Sequence, residues 1–435
     1  MTSASPALPS VGLAPRVVPA GAPSAAAPVG RLDYLDATRA FALLLGVVFH
    51  ASLSFSPYFM GWAVQDVATS PLVPDFILVS HSFRMELFFL LAGFFSEGLL
   101  RRQGPGGFLR SRAVRLGVPL VAGWFLLRPL LVSGWIMGAA SMRGDYHFWA
   151  GIRAGFAGLR ELPAGLFTGS HLWFLYYLLL ATGLLLVARL AVRAAIRAWG
   201  GEPAVIGFRS GLDRAAGWLV HSGWGLPLLI LPTAAALWSM RFWGMETPDQ
   251  SLQPNLPVLA IYGGGFALGW MIGRQAPGTM AKFGRITASR VLLLAAGLVA
   301  SLKLNPIQAD PGHPHFVLAH AGFVLGYATL MWTLVALTTG MFRLLCSRPR
   351  PLVRYLADSS YWVYLVHLPV VVWLQVAVAE VQLPWSLKLA IVVAATLAIA
   401  LLTYDLFVRS TWLGQILNGR RRGRVLGELA QHATG

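Results

Sequence analysis

Arg39 and His50 stand eleven positions apart in one apolar run. At ~100° per residue they fall on nearly the same helix face, ~16 Å apart along the axis. A second apolar run carries His81, Arg84 and Glu86. His81 and Arg84 share a face there, while Glu86, two residues on, points elsewhere and needs a partner from another helix. His171 and Trp173 open a further run, and Tyr364 and His367 lie within another. A lone histidine in such a run is most simply an interhelical hydrogen bond. Four histidines with arginine and glutamate, at comparable depth on several runs, read instead as a functional cavity. Imidazoles there can take up and release protons, beside guanidinium groups that hold anionic charge.

The elements that position these residues follow from composition. The 435 residues are 56% hydrophobic and 12% charged, too apolar for one water-soluble core. Stretches able to cross ~30 Å of hydrocarbon number about ten. They lie at roughly 36–56, 74–100, 113–134, 171–188, 217–240, 256–273, 290–304, 315–342, 357–380 and 386–408. The fold class expected is an all-α polytopic membrane protein, a bundle of about ten transmembrane helices. A charge near mid-bilayer costs roughly 2.5–3.5 kcal/mol on insertion scales, so each polar residue named above needs a reason to be there.

Charge sets the expected topology. Alternate connections carry 25 Lys and Arg residues, against five in the others, which places both termini in the cytoplasm. The net charge of +17 arises from these short clusters and forms no continuous stripe, so nucleic-acid binding is not expected. Residues 1–30, rich in Ala, Pro, Ser and Gly, read as a disordered cytoplasmic tail, 31–410 as the membrane domain and 411–435 as a basic cytoplasmic tail. Arg420, Arg421, Arg422 and Arg424 in that tail read as a topological anchor. An outer segment at 135–170 has room for an interfacial helix. The single cysteine, Cys346, excludes a disulfide framework.

Several of these residues fall into longer motifs. Arg39 and His50 form an Arg, ten residues, His signature within Leu35-Asp36-Ala37-Thr38-Arg39-Ala40-Phe41. Glu86-Leu87-Phe88-Phe89-Leu90-Leu91-Ala92-Gly93-Phe94 is an acidic, Leu-Phe-Phe and Gly-Phe run, and Arg112-Ala113-Val114-Arg115 is an Arg-x-x-Arg element. His81-Ser82-Phe83-Arg84-Met85, Ser170-His171-Leu172-Trp173-Phe174-Leu175 and Ser360-Tyr361-Trp362-Val363-Tyr364-Leu365-Val366-His367-Leu368-Pro369 are more distinctive. In these motifs the chain resembles the acyltransferase 3 family, and most closely its glucan biosynthesis branch. Ala92 departs from the family, which often has Ser before that Gly, so no catalytic part falls to it.

The resemblance implies a multi-pass protein of the bacterial inner membrane that transfers an acyl group from a cytoplasmic acyl-CoA to an acceptor hydroxyl. In this branch the acceptor is a periplasmic glucan and the group succinyl; acetyl and other glycans stay open. Acyl-CoA, as succinyl-CoA or acetyl-CoA, is then a co-substrate, with no bound cofactor. Such a reaction needs a base, oxyanion stabilisation and a path for the donor. His50 suits the base, since removal from water favours a neutral imidazole, and an acyl-histidine intermediate is an alternative. Arg39, Arg84 and Glu86 complete the catalytic set, Arg84 to stabilise the oxyanion or orient the acceptor and Glu86 to brace a helix or balance charge. Arg39, Arg112 and Arg115 suit the donor's polar arm and phosphates. His81, His171, Trp173, Tyr364 and His367 suit the acceptor, with Trp173 equally readable as an interfacial belt residue.

Two patterns are set aside. Gly263-Gly264-Gly265, with Gly269 and Gly273, lies in an apolar span and fits close helix packing better than a nucleotide loop. His313, His315 and His320 lack a carboxylate or cysteine to complete a metal site. The rival class is a transporter or flippase for a polar or lipid-linked substrate, against which stands the absence of paired halves in the sequence.

Overall fold

The computed structural model describes residues 32–144, 147–159, 171–240, 244–249, 251–348 and 350–425. The tail expected over 1–30, Ser170 with the rest of 160–170, and residues 426–435 of the basic tail lie outside the described residues. Among the described residues all regular structure is helical.

In chain order the helices are α1 (Asp33–Ser52), α2 (Leu72–Arg112), α3 (Val118–Ser141), α4 (Phe148–Ala157), α5 (Trp173–His221), α6 (Gly225–Leu237) and α7 (Leu256–Gly273). There follow α8 (Thr279–Phe283), α9 (Ala288–Gln308), α10 (Phe316–Leu345), α11 (Pro351–Val378), α12 (Trp385–Thr403) and α13 (Trp412–Asn418). Local chemistry explains many of the boundaries. Asp33 and Asp36 occupy the first turn of α1, where carboxylates complement the exposed N–H groups. The Asn255 side chain caps α7 by accepting from Val258 N–H at 3.2 Å, and Thr287 does the same for α9.

Eight helical stretches among the described residues are long and apolar enough to cross a membrane. One of them, Leu72–Ser141, runs for 70 residues, far beyond the ~20 a bilayer needs. It does not run straight. Gly104 takes φ 68°, a left-handed value that suits glycine, and Pro105 follows. Arg112 Nη2 then reaches Ser96 Oγ at 2.5 Å, although sixteen residues of unbroken helix would part them by ~24 Å. The chain therefore folds back at Gly104, and the stretch supplies two of the expected spans.

The thirteen-residue α6 corresponds to the span expected at 217–240, which the structure interrupts. Ser222 is extended, and Gly225 packs so tightly on the Leu219 carbonyl that a side chain would not fit. The span at 290–304, shortest in the sequence, is part of the 21-residue α9. Within the outer segment the ten-residue α4 lies on α3, with Gly151 against Met137 and Gly155 against the Pro129 carbonyl.

The glycine face of α7 does what its spacing implies. Gly269 faces the Leu90 carbonyl and Gly273 the Phe94 carbonyl, while Gly93 of α2 faces the Phe266 carbonyl of α7. With no Cβ on either side the two backbones meet directly, as association in lipid favours. This crossing fixes α2, the helix that carries His81, Arg84 and Glu86. Helix α1, with His50, packs between α2 and α11.

Candidate active site

His50 lies in the last turn of α1, where carbonyls lack their regular helical partners and the Leu53 N–H at the C-cap bonds back to His50 O. Gln375 of α11 adds a side-chain donor: its Nε2 donates to His50 O at 2.9 Å and to Ala51 O at 3.0 Å. The Gln375 Oε1 in turn accepts from Trp62 Nε1 at 2.9 Å. The Trp62 indole stacks on the His50 ring, with centroids 5.8 Å apart and planes within 17°. One glutamine therefore fixes both the end of α1 and the aromatic plate lying against its imidazole.

Trp62 belongs to the connection between α1 and α2, which is folded rather than loose. Its Asp66 N–H donates to Ser54 O at 2.8 Å and its Ser70 N–H to Phe55 O at 2.9 Å. Asp66 Oδ1 meets Lys388 Nζ of α12 at 2.6 Å, and both side chains are buried. Burial pushes the Asp66 carboxyl up while the Lys388 ammonium pulls it down.

Three further histidines surround His50. His367 lies 5.4 Å from it and 5.6 Å from His171, centroid to centroid. A proline sets this arrangement. Pro369 has no N–H to give the carbonyl four residues back, and that carbonyl, Leu365 O, accepts from His171 Nε2 at 2.9 Å. The Tyr364 hydroxyl donates to His171 O at 2.8 Å and closes the link between α11 and the start of α5. His367 Nδ1 donates to Tyr364 O at 2.7 Å, and His81 Nε2 donates to Met245 O at 2.7 Å. A carbonyl only accepts, so each of these three nitrogens carries a proton, and in the neutral ring the other nitrogen keeps a lone pair. His171 Nδ1, His367 Nε2 and His81 Nδ1 have no hydrogen-bond partner among the described residues.

Arg84 runs past Gly46 of α1, and its guanidinium lies 4.1 Å from the Phe49 ring centroid. Phe49 also stacks on His81, so His81 and Arg84 face α1 together, as their spacing implies. No carboxylate among the described residues lies within ion-pair distance of Arg84, and its Nη1 has no partner there. The aromatic face offsets part of the burial cost of this cation. Glu86 points the other way, onto Gly265 of α7, and neither of its oxygens has a hydrogen-bond partner among the described residues. Trp173 is buried and stacks on Tyr262 at 5.6 Å, and Tyr262 stacks on Phe89 at 4.7 Å.

The arginines of the sequence motifs gather elsewhere. Arg39 Nη2 donates to Ala357 O at 3.2 Å and pairs with Asp36 at 3.3 Å, and its guanidinium lies 6.0 Å from the Phe95 ring. Arg112 reaches Ser96, the next residue. The Tyr361 hydroxyl of α11 donates to the Arg115 carbonyl. The structure thus sorts the candidate residues into a histidine cluster (His50, His81, Arg84, His171, Tyr364, His367, flanked by Trp173 and Glu86) and an arginine cluster (Arg39, Arg112, Arg115). Helix α1 links the two. Sequence reasoning missed Trp62, Gln375, Tyr262 and Tyr361. For Gln375 a signal existed, since it is a polar amide inside an apolar span; Trp62 lies in a connection with no motif.

Fold and site together define a polytopic membrane protein with a buried histidine and arginine site joined by one helix to a basic cluster. The chain belongs to the acyltransferase 3 family, whose model, described as an acyltransferase domain, matches residues 32–405. Over 160 residues the chain is 34% identical to the glucans biosynthesis protein C of Escherichia coli K12, covering 36% of this chain and 38% of that protein. The proteins of the same name from Escherichia coli O1:K1 / APEC and O139:H28 match to the same extent. The chain therefore aligns with little more than a third of the length of these relatives. No solved structure matches it significantly.

Proposed function

We propose that this acyltransferase moves an acyl group, succinyl before acetyl, from acyl-CoA to a hydroxyl of a periplasmic glucan or another glycan, in the bacterial inner membrane. The observation that carries this reading is helix α1. One of its ends presents His50 among three histidines and Arg84, and the other presents Arg39 beside Arg112 and Arg115. A donor with phosphates at one end and a thioester at the other matches that polarity. The excess of Lys and Arg in alternate connections supports a cytoplasmic arginine cluster, cytoplasmic termini and a histidine cluster nearer the outer face.

In this mechanism His50 accepts the proton of the acceptor hydroxyl as its oxygen attacks the thioester carbonyl. The carbonyl electron pair moves onto oxygen, where Arg84 stabilises the tetrahedral oxyanion. The C–S bond then breaks, the ester forms, and the leaving thiolate takes the proton back from His50. Trp62 covers one face of the imidazole and holds the plane of the ring, and reactants meet its nitrogens at the edge, where the lone pair lies. The lone pairs of His81, His171 and His367, with Trp173 and Tyr364 beside them, are suited to hold glycan hydroxyls. Arg39, Arg112 and Arg115 hold the donor through charge-assisted hydrogen bonds to phosphate.

The experiment is expression of the protein and of His50→Ala in a host that makes periplasmic glucans but lacks related enzymes, followed by mass spectrometry of glucan esters. Esters that need the intact protein and vanish with the variant establish donor and acceptor. Absence of esters from a correctly inserted protein rejects the glucan assignment. Release of free thiol from acyl-CoA on addition of acceptor separates transfer from transport.

A further inference from the structure

The segment that follows α13 does not trail away from the bundle. Gly419 takes φ 75° and turns the chain, and a side chain there would strike the Arg115 guanidinium. Arg420 and Arg422 then both reach Asp358 of α11, at 3.3 and 3.0 Å. Backbone and side-chain bonds hold the segment down: Arg422 N–H donates to Arg409 O at 2.9 Å, and Val425 N–H to Asp405 Oδ1 at 3.0 Å. The turn of α11 that receives it is the same turn that gathers the arginine cluster. Ala357 O accepts from Arg39, Asp358 takes Arg420 and Arg422, and the Tyr361 hydroxyl donates to Arg115 O.

Charge counting then points to a ligand. Asp36 pairs with Arg39, Asp358 with Arg420 and Arg422, and Asp405 with Arg409, while Arg112 reaches Ser96 and the Arg115 guanidinium lies against Gly419, so six arginines stand beside three aspartates. Arg39 Nε and Arg112 Nε are buried without a hydrogen-bond partner among the described residues. Like charges gathered in a partly buried place repel unless an anion offsets them, and guanidinium forks suit the oxygens of phosphate. A topological anchor would require only that these arginines stay in water; Arg422 instead lies three-quarters buried on the bundle.

We infer that Arg420 and Arg422 form one wall of the donor site and bind its phosphate groups together with Arg112 and Arg115, with Asp358 holding them in place. This rests on the proposed transfer from acyl-CoA and adds to it a binding role for the C-terminal segment. The ligand chemistry is phosphate on a thioester carrier; a lipid headgroup offers the same chemistry.

The test uses the full-length protein in vesicles of neutral phosphatidylcholine, comparing two donors with the same acyl group. One is acyl-CoA and the other is acyl-N-acetylcysteamine, a thioester without phosphates. For Arg420→Ala/Arg422→Ala, the ratio of kcat/KM for the two donors should fall about tenfold relative to the unaltered protein, through a higher KM for acyl-CoA. An unchanged ratio overturns the inference, whether both activities fall together because the segment only braces the fold or neither falls. A variant defect that appears only when phosphatidylglycerol is added, with the ratio constant in phosphatidylcholine, assigns the arginines to lipid phosphate and also overturns it. If the unaltered protein transfers from neither donor, the proposed function itself fails, which is a separate result.

Discussion

The histidine cluster and the arginine cluster stand at the two ends of α1 but are held by opposite means. Around His50 the fastenings are buried and, apart from the Asp66–Lys388 pair behind Trp62, neutral: an amide on two carbonyls, a proline that frees a third for His171, and rings stacked on rings. Around Arg39, Arg112 and Arg115 they are ion pairs and single hydrogen bonds from long side chains, several of them half-exposed. The first kind of fastening fixes orientation and, being buried, is little affected by salt. The second adapts to a flexible anion and weakens as ions screen it. Proton transfer needs the former and capture of a large donor the latter, so the contrast fits a division between chemistry and binding.

Substitutions can break that contrast. The largest effect is expected at the base: His50→Gln should lower the transfer rate by about 10²–10⁴-fold, with membrane insertion unchanged by protease mapping. A residual rate near that of the unaltered protein would remove His50 from the mechanism. Next comes the staple beneath Trp62. Lys388→Met leaves Asp66 buried without its cation and should cost about 3–5 kcal/mol, read as a lower unfolding midpoint in detergent. The paired change Asp66→Leu/Lys388→Met should recover most of that loss.

Gln375→Leu is a finer probe, because it removes the bonds to His50, Ala51 and Trp62 and leaves the imidazole itself. A fall in kcat of about tenfold at constant donor KM would show that orientation limits the rate. A rise in KM alone would dissolve the distinction between the clusters. Arg112→Lys should act in the reverse sense, raising the KM for acyl-CoA several-fold with little effect on kcat, since an ammonium keeps the charge but loses the fork. The mildest expectation concerns salt: rising ionic strength should raise the donor KM steadily and leave kcat flat.

The helical spans were legible because length and apolarity are what a bilayer demands; among the described residues the exception is 217–240, which breaks at Ser222 into the end of α5 and the short α6. The charged residues of the site were legible for the complementary reason that lipid penalises them. Gln375 escaped because a neutral amide costs little in a span and looks like ordinary helix contact. Arg420, Arg422 and Asp358 escaped because a pairing across more than sixty positions leaves no spacing to read. Trp173 shows the limit of composition at a span's edge: the same residue suits a belt or an interior stack, and only the position of Tyr262 decides between them.

The bond between Asp66 and Lys388 joins positions 322 residues apart in the chain. A chain entering the membrane from its N-terminus carries Asp66, Trp62 and His50 from the outset, but Lys388 arrives only with α12. Until then the connection after α1 has its bonds to Ser54 O and Phe55 O and, from α11 onward, the bond from Trp62 to Gln375, but Asp66 lacks its cation. The ion pair thus completes the connection beside His50 with one of the last parts of the chain to be made, so that an early loop and a late helix form one piece of structure.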